Sequence, residues 1–582
     1  MNSLRRTSAL RLVPALLALW ATRPAPAHEP PEGKKHEHHA PDRASASNAR
    51  ARGVVYHDRN RDGVKGADEP GISRVRVSNG RDIVETDREG RYEIAVDDDT
   101  IVFVLKPRDW MTPVDEHKLP RFYYIHKPKG SPPDLRFAGV KPTGPLPASI
   151  DFPLYRRWEP NVFKALFFGD TQPRDVREVE YIAHDVVEPL ILENRTIGAS
   201  FGVTLGDVAF DDLSVFRPLN RVIALLDIPW YNVIGNHDLN QEAKDDRHSD
   251  ETWERIYGPS YYAFDHGPVH FLVLDDVRWS IGANGRGGYV GGLGEAQMAF
   301  IREDLSRIPE DQLVVLMMHI PLTQVEDRKE LYELIEKRPF AMSVSAHTHY
   351  QEHIFIDDND GFRGPKPHHH AVNVTVCGSW WRGAPDERGI PHTTMRDGAP
   401  NGYSIFTFDG NHYEIEFRPA SRPKDYQMNI YAPERVTAAA AGETEVLVNV
   451  FAGSERSVVE MRFGEAGDWV RLERYAVEDP AYLAAKNRED ALLAAAVEVE
   501  ESRRSAQGKA GEAKDTPKAD ERGARRRIMD IPFIPLPDAI KSPHIWRGTL
   551  PANPSPGTHL IHVRTKDMFG RVHADRRSIK VE

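Results

Sequence analysis

Seven side chains that can bind metal ions follow short apolar stretches in the middle third of this 582-residue sequence. The stretches read LFFGDTQ, GVTLGD, WYNVIGNHD, LVVLMMHIP and MSVSAHTH. The side chains are those of Asp170, Gln172, Asp207, Asn236, His319, His347 and His349. In an open parallel α/β sheet, ligands bind beyond the carboxyl ends of the strands, so we expect these side chains to meet at one rim. Carboxylate, amide and imidazole donors gathered in one place predict a metal cluster.

Taken singly, each of these residues has an ordinary structural explanation. A GNHD sequence is commonly a turn, and a histidine after a strand is commonly a hydrogen-bonded structural residue. The ordered set favours chemistry instead, because every member stands at the end of an apolar stretch. His347 and His349 are separated by one residue, which turns both imidazoles to the same side of an extended chain.

The elements that carry these residues alternate strand-like and helix-like segments over residues 161–418, which is typical of an α/β domain. Residues 52–160 contain short alternating strands followed by a proline-rich passage, and they predict an N-terminal β-sandwich with a linker. Strand patterns return over residues 419–582 and predict a C-terminal β-sandwich. An alanine-rich helix and a charged tract interrupt it near residues 480–527, and we expect the charged tract to be a disordered insertion. The predicted fold class is thus an α/β sandwich core flanked by two β-sandwiches.

The first 27 residues combine a basic start, a short apolar core and the small-residue ending Ala25-Pro26-Ala27, as secretory signal peptides do. The apolar core is too short to span a membrane. Residues 28–51 are rich in Pro, Ala, Ser and His and predict a disordered linker. We therefore expect a periplasmic or extracellular protein without a membrane span.

The formal charge of −12 argues against nucleic acid as a partner, because nucleic-acid-binding proteins present basic faces to phosphates. Cys377 is the one cysteine of the sequence, which excludes an internal disulfide. Stability must then come from burial of the core and from bound metal. The oligomeric state is left open.

A second set of oxygen ligands lies in the sequence DRNRDGVKGADE near the start of the first domain. Asp58, Asn60, Asp62 and Glu69, with Gly63 among them, have the spacing of a calcium loop. Strands rather than helices flank the loop, so it resembles the calcium repeats of bacterial surface proteins rather than an EF-hand. A plain acidic turn is an equally good interpretation.

The ordered motifs resemble those of calcineurin-like metallophosphoesterases, which run Asp-x-His, Gly-Asp, Gly-Asn-His-Asp/Glu, a later His and His-x-His. The match covers Lys164 to His349 in that order. The segments GSWWRG, MRDGAPNGY and DMFGR resemble a bacterial secreted subgroup with extra N- and C-terminal β domains. The resemblance implies a metallophosphoesterase-type α/β sandwich with two metal ions that share Asp207. Asp170, Gln172 and His349 would complete one metal site, and Asn236, His319 and His347 the other.

The resemblance also implies hydrolysis of a phosphate mono- or diester, with a metal-bound hydroxide as nucleophile. Two cations would stabilise both ends of an in-line displacement at phosphorus. The mixed oxygen and nitrogen donors suit divalent or trivalent Mn, Fe, Zn or Mg. Gln172 stands where most members of the family have histidine, which leaves the identity of the metal open.

His237 matches the family histidine that stabilises or protonates the leaving oxygen, so we expect it to be the general acid. In many relatives an Asp three places after the bridging Asp orients this histidine, but Phe210 stands there. Asp211 or Asp212 could serve instead, and the sequence does not choose between them.

Substrate contacts are suggested by residues on either side of the metal motifs. Arg174 could bind a phosphate through its guanidinium fork, although a surface arginine is an equally good interpretation. Trp380 and Trp381 could form an aromatic wall for a base, sugar or lipid head, but such aromatics more often belong to a core. We expect Cys377 to be a small buried hydrophobe and the run His368–His370 to lie in a solvated loop.

A cell-surface binding protein with a relic phosphoesterase core is the competing hypothesis. A relic would have lost ligands at random, whereas one position, Gln172, deviates from the motif here. The sequence does not distinguish a monoesterase from a diesterase and does not identify the small-molecule or polymeric phosphoester substrate.

Overall fold

The structure is a computed structural model that describes residues 49–282, 285–508 and 533–582, with only the backbone for residues 500–508. The expected signal peptide at 1–27, the linker up to residue 48 and the charged tract after Gly508 lie outside these residues. In the described part, no helix combines the length and hydropathy that crossing a bilayer requires.

The N-terminal part is a β-sandwich whose proline-rich half contributes strands. Its strands are β1 (Arg50–His57), β2 (Arg76–Ser78), β3 (Ile83–Glu85), β4 (Arg91–Ala95), β5 (Thr100–Val104), β6 (Trp110–Met111), β7 (Tyr123–His126) and β8 (Phe152–Arg156). They form sheets of order β4-β1-β8-β6 and β3-β2-β5-β7. The passage from 106 to 160, expected to be mainly a linker, supplies three of them. All its prolines except Pro153 lie in the connections, which leaves the strands free to pair.

The central part alternates strands and helices. Its elements are β9 (Val162–Phe168), α1 (Val176–Ile182), α2 (Glu188–Ile197), β10 (Ala199–Leu205), α3 (Phe216–Ile223), β11 (Trp230–Val233), α4 (Glu251–Tyr257), β12 (Tyr262–His266), β13 (Val269–Val273), β14 (Val277–Ile281), β15 (Gly287–Gly291), α5 (Gly294–Leu305), β16 (Leu313–Met317), α6 (Arg328–Ile335), β17 (Ala341–Ser345), β18 (Glu352–Ile356), β19 (His368–Val372), β20 (Gly402–Asp409) and β21 (His412–Pro419).

These strands form two sheets. One sheet has the order β11-β10-β9-β20-β21, and its first three strands are parallel. The other has the order β12-β13-β16-β17-β19-β18, and its four inner strands are parallel. The sheets pack together through aromatic contacts such as Tyr231 on Phe264, whose ring centroids are 4.0 Å apart. Burial on both faces explains why the parallel strands are continuously apolar.

Helices cover the outer side of the first sheet. Leu166 and Phe168 of β9 share a hydrophobic cluster with Ile182 of α1, Leu190 of α2 and Leu219 of α3. Helices α5 and α6 belong to the cluster that contains the second sheet. The predicted α/β sandwich core is confirmed.

The C-terminal part is the second predicted β-sandwich. Its elements are β22 (Met428–Tyr431), β23 (Arg435–Val436), α7 (Ala438–Ala441), β24 (Glu445–Val450), β25 (Val458–Phe463), β26 (Val470–Arg471), β27 (Glu473–Arg474), β28 (Val477–Glu478), α8 (Pro480–Gly508), β29 (Lys541–Ser542), β30 (Ile545–Thr549), β31 (Gly557–Lys566) and β32 (Val572–Val581). The main sheets have the orders β22-β24-β30-β27 and β23-β32-β31-β25-β26. Helix α8 is the alanine-rich helix expected from the sequence.

The prediction of a solvated loop for the histidine run is wrong. His368–His370 begins the buried strand β19, not a solvated loop. Ser343 lies on the neighbouring strand β17. Its Oγ is 2.8 Å from His368 Nε2 and 2.7 Å from His370 Nδ1. These hydroxyl contacts satisfy the buried imidazoles, which is why a polar run fits inside the sheet.

Candidate metal centre

The carboxyl ends of five parallel strands from both sheets converge on one edge of the central sandwich. The residues that follow them are Asp170 and Gln172 after β9, Asp207 after β10, Asn236 after β11, His319 after β16, and His347 and His349 after β17. A backbone hydrogen bond from Ala346 to the carbonyl of His319 joins the two strand ends of the second sheet. Another, from Gln172 to the carbonyl of Asp207, joins two strand ends of the first.

His319 lies at the centre of the group. Its Nε2 is 3.2 Å from Asp207 Oδ1, 3.1 Å from Asn236 Oδ1 and 3.1 Å from His347 Nδ1. One ligand atom from each of Asp207, His319 and His347 lies within 4.8 Å of the others. Asp170 adjoins them, since its Oδ2 accepts a hydrogen bond of 2.9 Å from the backbone N–H of His347.

Two of the imidazoles are prepared to bind metal through Nε2. His319 Nδ1 lies 2.9 Å from the carbonyl oxygen of Leu205, and His349 Nδ1 lies 2.6 Å from that of Gly378. A carbonyl only accepts, so in each ring Nδ1 carries a proton, and Nε2 is the nitrogen available to a metal ion. Metal-binding histidines in proteins are commonly oriented by such a second hydrogen bond.

The charges of the group also fit bound cations. Asp170 and Asp207 are buried, and no Lys or Arg of the described residues pairs with either carboxylate. Burial raises the pKa of Asp170 to about 8, and its Oδ1 has no hydrogen-bond partner. Although burial opposes it, the charge of Asp207 raises the pKa of His319 to about 10. Buried carboxylates without a lysine or arginine partner are stabilised by coordinated metal, so the donor set fits the predicted ions.

Gln172 and His349 are linked through Cys377. The Sγ atom of Cys377 is 3.6 Å from Gln172 Oε1 and 3.7 Å from His349 Nδ1. Gln172 donates its amide N–H to Asp207 Oδ2 over 2.9 Å. Half a turn of this amide would exchange its nitrogen and oxygen and present an acceptor to the cluster. Cys377 itself is buried, as expected.

His237, the expected general acid, is oriented by Asp211. Its Nδ1 lies 2.6 Å from Asp211 Oδ1, and its backbone N–H donates to Asp207 Oδ1 over 2.9 Å. Phe210, which stands in place of the family carboxylate, stacks on the imidazole at 4.5 Å. Asp212 instead accepts from the N–H of Ser214 and caps a short helical turn.

Three residues near the group were not identified from the sequence. Asp238 accepts N–H groups of Val208, Ala209 and Gly235, and so joins the loops after β10 and β11. Asp276 accepts the N–H groups of His319 and Ile320. The ring of Tyr289, on the β14-β15 hairpin, meets His347 edge-on at 6.1 Å. The sequence HFLVLDD carried a signal for Asp276, because it too is an apolar strand that ends in carboxylates.

The backbone of the group is strained. Of the fifteen non-glycine residues with positive φ in the described part, seven lie here: Gln172, Asp207, Asp211, His347, His349, Trp380 and Trp381. Each such conformation costs on the order of 1–3 kcal/mol and persists where the surrounding structure enforces it. Close approach adds to this constraint, because a Cβ on Gly206 would lie 2.4 Å from His319 Nδ1.

The predicted substrate residues differ in their environment. Trp381 is buried and donates to the carbonyl of Thr171, so it belongs to the core. The half-buried ring of Trp380 contacts the His349 ring at 3.8 Å. Arg174 pairs with Glu178 at 2.6 Å and donates to the carbonyl of Trp380 over 2.8 Å.

Two further clusters have metal-ligand chemistry. Ligand atoms of Asp99, His248 and Glu251 lie within 4.8 Å of one another, but the ammonium of Lys127 bonds Asp99 and Glu251 and already supplies a cation. In the expected calcium loop, Asp58 accepts the N–H of Gly63 over 3.0 Å.

The other side chains of that loop are also hydrogen-bonded within it. Asn60 donates to Asp62 over 2.8 Å, and Glu69 accepts the N–H groups of Arg59 and Gly66 over 2.8 and 2.9 Å. All four predicted ligands therefore belong to one ordered turn.

Three family models match the chain in order. They are the N terminal of Calcineurin-like phosphoesterase at residues 58–142, Calcineurin-like phosphoesterase at 163–351 and the C terminal of Calcineurin-like phosphoesterase at 370–512. No curated protein sequence matches.

Nine chains of solved structures match, and the two that follow have low overall similarity to this chain. A dimetal phosphatase from Danio rerio is 14% identical, with a TM-score of 0.30 over 44% of this chain and 96% of that one. The purple acid phosphatase PPD1 from yellow lupin seeds is 12% identical, with a TM-score of 0.32 over 60% of this chain and 67% of that one.

Proposed function

This chain belongs to the calcineurin-like phosphoesterase family, and on that premise we propose that it hydrolyses a phosphate mono- or diester at the Asp207 cluster. The observation that carries the proposal is the convergence on His319 Nε2 of donor atoms from Asp207, Asn236 and His347. These atoms come from strands of two different sheets. A purely structural histidine needs one or two partners, not three ligand-type donors around one nitrogen.

The seven donors divide as the family motif implies. Asp207 would be shared by both metal ions. Asp170, Gln172 and His349 would bind one ion, and Asn236, His319 and His347 the other. When bound, the two ions supply positive charge that stabilises the developing charge on the phosphate oxygens and activates water for attack.

The chain's own contribution to the reaction is a positioned proton. Because His237 Nδ1 is bonded to Asp211, Nε2 is the nitrogen left to give a proton to the leaving oxygen. The Phe210 ring fixes the imidazole plane from one face. The bond from the His237 backbone to Asp207 ties the proton donor to the shared ligand.

Replacing His237 by Ala tests the assignment directly. We expect hydrolysis of aryl phosphates and bis-aryl phosphates to fall about 10²- to 10⁴-fold, the usual contribution of a general acid. Circular dichroism should show an unchanged fold. Undiminished hydrolysis of both substrate types by the variant would refute the assignment. The substrate type that the wild-type protein hydrolyses faster distinguishes a monoesterase from a diesterase.

Metal content separates the enzyme from the binding-protein hypothesis. We propose about two ions of Mn, Fe, Zn or Mg per chain after reconstitution, since the donors are mixed oxygen and nitrogen. Elemental analysis of the purified protein measures this. A chain without bound metal would favour a relic core.

We also propose that the protein acts in the periplasm or outside the cell. The support is the leader-like sequence that ends at Ala27. Mass spectrometry of the protein exported from cells should then find His28 at the N-terminus. An intact leader on a cytoplasmic product would contradict this proposal.

We propose calcium for the loop at Asp58, supported by the ligand spacing and by Gly63 with φ of +74° at the sharp turn. Calcium should raise the thermal unfolding temperature of wild type. Asp62→Ala should remove that increase and leave phosphoesterase activity intact. An identical response of both proteins to calcium would contradict it.

A further inference from the structure

Arg382 is a half-buried cation beside the metal centre. It lies in the loop between Cys377 and the strand β20. Its Nε atom is buried without a hydrogen-bond partner, and its guanidinium forms no ion pair with a carboxylate of the described residues. Burying an unpaired charge is costly, and an anion bound to the guanidinium would offset that cost.

The position of Arg382 connects it to the site. Its Cζ lies 5.7 Å from the centre of the Trp380 ring, and that ring contacts His349 at 3.8 Å. Trp380 thus contacts both the arginine and one of the seven metal donors. Arg382 is therefore separated from the metal donors by one aromatic side chain.

Arg174 provides the contrast. Its guanidinium is also near Trp380, but it is neutralised by Glu178 at 2.6 Å. Both arginines lie near Trp380, and burial together with the charge of Arg174 lowers the pKa of Arg382. Glu178 is therefore ion-paired with Arg174, whereas Arg382 has no ion-pair partner among the described residues.

We propose that Arg382 and the Trp380 ring form a subsite for a second anionic group of the substrate, so that the preferred substrate is a phosphoester bearing another phosphate or a carboxylate. This inference rests on the proposed phosphoesterase function. Arginine suits the role because its planar fork makes paired hydrogen bonds to either oxyanion.

Binding of non-hydrolysable ligands tests the subsite without turnover. Methylphosphonate carries one anionic group, phosphonoacetate adds a carboxylate, and methylenediphosphonate adds a second phosphonate. Calorimetry on Mn-reconstituted wild type should show at least about tenfold tighter binding of one or both two-anion ligands than of methylphosphonate, the usual effect of one charged hydrogen bond. The tighter of the two identifies the second anion as carboxylate or phosphate.

Variants assign the preference to Arg382. Arg382→Met should abolish the preference and leave methylphosphonate affinity within about twofold, while Arg382→Lys should restore part of it. Arg388→Met is the matched control, because Arg388 lies in the same loop but pairs with Asp185 and Asp386. It should keep the preference.

The outcomes separate this inference from the proposed function. If wild type hydrolyses simple phosphoesters but Arg382→Met binds all three ligands like wild type, the subsite is refuted and the function stands. Equal loss of affinity for all three ligands would also refute it, because it indicates a structural role. If wild type shows the Arg382-dependent preference but hydrolyses no phosphoester, the function fails and the anion subsite remains.

Discussion

At the scale of single residues, His237 shows how a departure from a motif can be compensated nearby. Phe210 stands at the family position of the orienting carboxylate, yet the next residue, Asp211, bonds to His237 Nδ1. Asp211 can do so because its φ of +62° turns the chain back toward His237. The phenyl ring then occupies the face of the imidazole.

Asp211→Asn should therefore lower the turnover rate by about tenfold to a hundredfold, the usual range for a residue that orients a functional histidine. The loss should be larger for alkyl phosphates than for nitrophenyl phosphate, because nitrophenolate leaves without a proton. Steady-state kinetics with both substrates measures this. Asp212→Asn is the control and should keep wild-type rates, since Asp212 caps a helical turn. Equal losses on both substrates would argue against a role through the proton donor.

The donors were predictable from sequence because each follows an apolar strand, a pattern that needs no tertiary information. The choice between Asp211 and Asp212 was not predictable, because it depends on a backbone turn that the loop adopts in the folded protein. The orientation of the His319 and His349 rings likewise depends on carbonyls of Leu205 and Gly378 that are distant in sequence.

At the scale of secondary-structure elements, the strands build the site by meeting from two sheets. The sequence indicated parallel strands but not their division, because continuous apolar runs look the same in one sheet or two. The histidine strand β19 was missed for a related reason. His368 and His370 are satisfied by serines of β17, a pairing that exists only after the sheet has formed.

A buried charge cluster joins β13 to α5 and to the N-terminal sandwich. His270 lies 2.7 Å from both Asp265 and Asp304, and Arg76 bonds the same two carboxylates at 3.0 and 2.6 Å. Burial opposes it, but these carboxylates raise the pKa of His270 to about 9. His270 is therefore protonated in the folded protein near neutral pH.

The pH dependence of stability should report this histidine. The folded-state pKa of His270 is above the ordinary value of about 6.5. The charged histidine therefore stabilises the fold fully below about pH 6.5, and this stabilisation is lost as pH rises through about 9. The free energy of unfolding should fall by up to about 3 kcal/mol over that range. Urea unfolding of wild type and His270→Gln at pH 6 and pH 9.5 measures it. The stability difference between the two proteins should shrink at high pH. A constant difference would contradict the assigned charge.

At the scale of the whole molecule, the N-terminal sandwich and the central part share one core. Ile83, Phe103 and Phe122 belong to the same hydrophobic cluster as both central sheets. Buried ion pairs cross the same junction, including Arg76 with Asp304 at 2.6 Å. The sequence predicted a β-sandwich and an α/β core, but not this junction, because its contacts join residues far apart in the chain.

Lys127 is the most connected cation of the junction, with Asp99, Glu251 and Glu254 as partners. Lys127→Met should destabilise the protein by about 3–5 kcal/mol, because it leaves buried carboxylates without a counter-charge. Lys129→Met is the control. Its ammonium is exposed and 3.8 Å from Asp98, and exposed pairs contribute about 0–1 kcal/mol. Chemical denaturation measures the free energy of unfolding of both variants. Equal values would contradict a stabilising role for the buried ion pairs of Lys127.

The central claim is that donors from two sheets form one metal-dependent phosphoesterase site around Asp207. The most direct test is the initial rate of nitrophenyl phosphate hydrolysis as Mn is added back to chelator-treated wild type and Asp207→Asn. We predict that wild type regains activity with added metal and that Asp207→Asn stays at least about a hundredfold slower at saturating metal, because the shared carboxylate is lost. Equal activity of the two proteins, or wild-type hydrolysis that does not respond to metal, would contradict the claim.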